Sequence, residues 1–134
     1  MTAPQGTTAP ARPALSARNK VGLILAILLG LGELANIGRG LAVEQGPGGP
    51  PKAVLMLGAV LGPVLVIAAI YMWVSRNRLG GRIVAGLLFL NAIPNVGALF
   101  IAAVPAYVKV GLAAFVVISI VAMMLVLTPP KPVV

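Results

Sequence analysis

Residues 21–43 read VGLILAILLGLGELANIGRGLAV, an apolar run broken only by Glu33, Asn36 and Arg39. About 20 mainly apolar residues cross a hydrocarbon core of about 30 Å as a helix, so this run predicts a transmembrane span. It follows Arg18 and Lys20 and stops where Glu44 leads into Gly46, Pro47, Gly48, Gly49, Pro50 and Pro51. Working outward, a second span is expected over 53–74, closing with Tyr71 and Trp73, whose rings favour the interfacial level. After Ser75, Arg76, Asn77 and Arg78, the run Leu79, Gly80, Gly81, Arg82 is read as a reversal into a third span over 83–104. A fourth, over 106–127, begins after Pro105 and is stopped by Thr128, Pro129 and Pro130.

The expected fold is therefore all-α: an integral membrane protein with four transmembrane helices in an antiparallel up-down bundle. A transmembrane domain over 21–128 is expected between a disordered Ala/Pro/Thr-rich tail over 1–20 and a short tail over 129–134. Strands are excluded because the runs are apolar on every side, and four strands fall short of the roughly eight that close a membrane barrel. A signal peptide is disfavoured, since the first run is too long and Glu33 spoils a small-residue cleavage site.

Composition agrees with this reading. Only 9% of residues are charged against 60% hydrophobic, and the mean hydropathy is +1.07. A soluble domain carries about 25% charged residues. The chain has no Cys, His or Asp, and its acids are Glu33 and Glu44 alone. Those absences remove disulfides, thiolate or imidazole metal sites and Ser-His-Asp or Cys-His catalysis, so no cofactor, no metal and no enzymatic activity are expected.

Orientation is read from the loops. Arg12, Arg18, Lys20, Arg76, Arg78, Arg82 and Lys131 fall on one side, against Arg39, Lys52 and Lys109 on the other. By the positive-inside bias, both termini are expected in the cytoplasm, and the abundance of Ala, Gly, Val and Pro points to a bacterial cytoplasmic membrane. Most of the net charge of +8 then faces anionic inner-leaflet headgroups, with Arg76, Arg78 and Arg82 as contacts. Nucleic acid is not an expected partner, because no basic stripe is interleaved with aromatics.

Two patterns inside the spans carry functional weight. Small residues recur every four positions, Gly22, Ala26 and Gly30 in the first span and Gly58 and Gly62 in the second, which suits close helix packing in lipid. Packing within the monomer is the ordinary use of such faces; a second copy or a larger partner is the other. Pro63, directly after Gly62, is expected to bend the second span.

The second pattern is polar. Glu33 lies about 18 Å along a helix counted from Val21, slightly past mid-membrane, where an acid costs about 2.5 to 3.5 kcal/mol. Asn36 shares its face, Asn91 and Asn95 share a face of the third span around Pro94, and Ser119 sits midway along the fourth. These residues are expected to meet in one polar centre. It serves either as a clasp that fixes helix register or as part of an ion, proton or substrate path.

Four spans with one acid in the first also resemble the small multidrug resistance transporters, in which a first-helix acid exchanges protons for cationic drugs. The resemblance is confined to Glu33. That family's later helices carry substrate-contacting aromatics, whereas here the second span has Tyr71 and Trp73 only at its end and the third carries Asn91, Pro94 and Asn95. The leading expectation is a non-catalytic accessory or assembly subunit of a larger membrane complex, associating with other membrane subunits or with itself. The alternative is a small proton- or cation-coupled transporter acting as an oligomer, with Glu33 as coupling site.

Overall fold

The structure, a computed structural model, describes residues 14–42 and 52–129. The N-terminal stretch 1–13, the Gly/Pro loop before Lys52 and the tail from Pro130 lie outside the described residues. Four helices account for nearly everything else: α1 (Ala17–Ala42), α2 (Lys52–Ser75), α3 (Arg78–Leu99) and α4 (Ala106–Leu127). Each is long and apolar enough to cross a membrane, which fits a small membrane protein.

The boundaries differ from expectation in three places, each with a local cause. First, α1 begins at Ala17, not Val21, so residues 17–20 are helix and not tail. Ser16 Oγ accepts from the Asn19 N–H at 3.1 Å, and Asn19 Oδ1 accepts from the Ser16 N–H at 3.2 Å. This reciprocal pair is a capping box, and it satisfies donors that a bare helix start leaves unpaired.

Second, α3 begins at Arg78, not Ile83. The reversal is compressed into Arg76, at φ 54°, and Asn77, which is extended and accepts the Leu79 N–H on Oδ1 at 3.0 Å. Gly80 and Gly81 therefore belong to the first turn of α3, where their bareness lets the helix lie on Met72. A Cβ at Gly80 would come 3.0 Å from the Met72 Cβ.

Third, α3 ends at Leu99 and does not reach Val104. The N–H groups of Phe100, Ile101 and Val104 turn to carbonyls three residues back, and Pro105 then opens α4. Helix α2 runs unbroken through Pro63, and α3 through Pro94.

The helices pack as a ring, α1 against α2, α2 against α3, α3 against α4 and α4 against α1. Its core holds Leu23, Ala26, Leu65, Ala69, Val84, Leu88 and Ala122, all fully enclosed except where small partners abut them. Lipid tails are as apolar as these side chains, so burial itself supplies little drive and the ring depends on tight backbone approach. At the α1–α2 crossing, a Cβ on Gly30 would stand 2.8 Å from the Gly62 carbonyl oxygen, and one on Gly62 would stand 3.0 Å from the Gly30 carbonyl oxygen. At the α1–α4 contact, a Cβ on Gly22 would lie 2.9 Å from the Val126 backbone nitrogen.

Burial is confined to one half of the ring. The last buried residue of α1 is Gly30, the first of α2 is Gly58, the last of α3 is Ala92 and the first of α4 is Ser119. Beyond that level, over 31–38, 52–57 and 93–118, every residue is half-buried or exposed. Gly32, Gly38, Gly97 and Gly111 lie there with none of the described residues within 4 Å of an added Cβ.

Candidate functional site

Glu33 stands at the level where the closed half gives way to the open half. Its side chain leaves α1 toward two bare positions of α2: Oε2 lies 3.0 Å from where a Gly58 Cβ would be, and its own Cβ lies 3.2 Å from that of Gly62. A larger residue at Gly58 would displace the carboxyl group, and one at Gly62 would press on the Glu33 Cβ and the Gly30 carbonyl. Asn95 of α3 lies close enough to influence the same carboxyl group, though its own Nδ2 is engaged with the Asn91 carbonyl. Three helices therefore meet at Glu33, although α1 and α3 are not neighbours in the ring.

The other polar residues divide. Asn91 is 2% exposed, and its Nδ2 has no hydrogen-bond partner among the described residues. An unpaired amide in a dry bundle costs about 1 to 3 kcal/mol, which marks it as strained or as waiting for a partner. Asn95 Nδ2 donates to the Asn91 carbonyl at 2.8 Å. That carbonyl lies one turn before Asn95 on its own helix.

Ser119 is fully buried but donates to the Phe115 carbonyl of its own helix at 2.8 Å, so its hydroxyl is satisfied locally. Asn36 is exposed on α1. The small residues also split by role: Gly22 accommodates α4, Gly30 and Gly62 accommodate each other, Gly58 accommodates Glu33, and Ala26 is fully enclosed in the core.

A second polar site was not anticipated. Asn19 is 2% exposed, and its Nδ2 donates to the carbonyls of Leu125 (3.1 Å), Val126 (3.1 Å) and Thr128 (2.9 Å). One amide thus caps the start of its own helix through Oδ1 and the end of α4 through Nδ2. The pattern Ser16-x-x-Asn19 carries the capping signal, but it sits in a stretch whose Ala, Pro and Thr content reads as tail. Close by are Arg76, Arg78 and Arg82, all exposed, at the reversal between α2 and α3.

No family model, curated protein or solved structure matches the chain.

Proposed function

We propose that the chain is a non-catalytic multi-pass membrane protein that serves as an accessory or assembly subunit of a larger membrane complex. In this reading the helices form an antiparallel up-down bundle in a bacterial cytoplasmic membrane, with the start of α1 and the end of α4 on the cytoplasmic side.

The observation that carries the proposal is the level at which burial stops. Close helix approach in lipid depends on small residues, and Gly30 and Gly62 use that property inside the ring. Gly32, Gly97 and Gly111 offer the same property in the open half with nothing against them. A partner's helices seated there would complete the packing that the chain leaves unfinished. Mild-detergent purification of the tagged chain from its native membrane tests this. A stoichiometric particle containing other membrane subunits is expected, and a lone bundle contradicts it.

A second reading is favoured by one observation, the unpaired Asn91 amide near the level where Glu33 meets Asn95. There the chain is a small oligomeric transporter with Glu33 as the proton or cation site. Glu33→Gln separates the two. A subunit held by a clasp tolerates the change, because a Gln amide can hydrogen-bond to Asn91 or Asn95. A transporter loses proton-coupled flux in proteoliposomes while its folded yield is unchanged.

A further inference from the structure

A cleft of about 180 Å³ opens where the start of α1, the α2–α3 reversal and the end of α4 meet. Arg76, Arg78 and Arg82 line it, and Met72, Val126 and Leu127 give it an apolar wall. At about 30 Å³ per liquid water it holds on the order of six waters, room enough for a phosphate group.

Among the described residues, no acidic side chain stands at this end. The two acids are Glu33, well along α1, and Glu44, beyond the far end of α1. The carbonyls closing α4, which would otherwise attract a cation, are already bound by Asn19. Three guanidinium groups, each with five N–H donors in a planar fork, are left beside the positive end of the α3 dipole.

Arg76 adds an independent point. It occupies the left-handed position that closes α2, with its N–H donating to the Met72 carbonyl at 2.8 Å. Glycine fits that position without strain, whereas a side-chain-bearing residue there costs about 1 to 2 kcal/mol. The backbone at this position favours glycine, so the arginine is carried at a conformational cost.

We propose that this cleft binds the phosphodiester head of an anionic phospholipid, clamped by Arg76, Arg78 and Arg82 with its acyl chains along the apolar wall. Free phosphate shares the head's chemistry. The apolar wall, and a position at the helix ends next to Tyr71 and Trp73, select the lipid.

The test is native mass spectrometry of the full chain released from phosphatidylcholine nanodiscs doped with phosphatidylglycerol. Wild type is expected to retain phosphatidylglycerol selectively, and the double variant Arg76→Gln, Arg82→Gln to retain about tenfold less. The control Arg18→Gln, Lys20→Gln removes the same charge at the same end but replaces no residue that lines the cleft, and is expected to retain most of it. Equal losses in the two variants would overturn the site, reducing it to general surface attraction. Retention of inorganic phosphate with no preference for phosphatidylglycerol over phosphatidylcholine would overturn the lipid assignment. If the Gln pair does not fold, Arg76→Lys with Arg82→Lys keeps the charge and removes the forks; several-fold weaker retention is expected, and unchanged retention overturns the clamp.

Discussion

Asn19 ties together two helices whose sequence positions differ by 106 at the nearest contact. Its two N–H groups serve three carbonyls, so one is shared, and no other residue type both accepts from Ser16 and donates to α4 from this position. Asn19→Leu should destabilise the bundle by about 2 to 3 kcal/mol, read as a lower midpoint in denaturant titration of the detergent-solubilised protein. A loss within error would mean that water replaces the amide there. Arg76→Gly makes the opposite prediction for stability: relief of the left-handed strain should raise it by about 1 kcal/mol while lipid retention falls. A variant that loses both would show that Arg76 supports the reversal itself. The capping half of Asn19's role was legible in Ser16-x-x-Asn19, but its reach to α4 was not, because no local pattern encodes a contact set by how four helices close into a ring.

At the scale of elements, glycines that look alike in sequence have different neighbours. Gly30→Ala places a methyl 2.7 Å from Val66 Cγ2 and 2.8 Å from the Gly62 carbonyl, so α1 and α2 must separate; a loss of about 1 to 3 kcal/mol is expected. Gly32→Ala meets nothing within 4 Å and should be neutral or slightly stabilising in the same denaturation assay. Equal effects would contradict the assigned crossing. Apolar length was enough to fix that four helices exist, and α4 was legible to the residue because Pro105 and the Thr128-Pro129 pair bracket it. The start of α3 was not, since Gly80 and Gly81 carry a turn signal locally. Their place against Met72 is a tertiary demand for bare backbone, which propensity cannot express.

For the whole molecule, the defining feature is a ring packed in one half and unpacked in the other, with Glu33 at the division. Glu33, Asn91 and Asn95 were readable one by one, because each is costly in an apolar span, whereas Asn36 is exposed and Ser119 bonds within its own helix instead of joining one centre. The division itself was not. All four spans are apolar along their length, and hydropathy does not distinguish a surface facing lipid from one awaiting a helix. The proposed role depends on that distinction, and the absence of cysteine from the chain makes it directly measurable with single thiols. Gly97→Cys and Gly111→Cys lie in the open half, whereas Gly86→Cys lies beside the packed half, also with nothing within 4 Å. The decisive measurement is thiol cross-linking of these three variants in the native membrane, with the products identified by mass spectrometry. The account predicts that Gly97→Cys and Gly111→Cys both cross-link in high yield to the same subunit of another membrane protein, and that Gly86→Cys does not. Equal yields at all three positions, or no partner at Gly97 and Gly111, would contradict it.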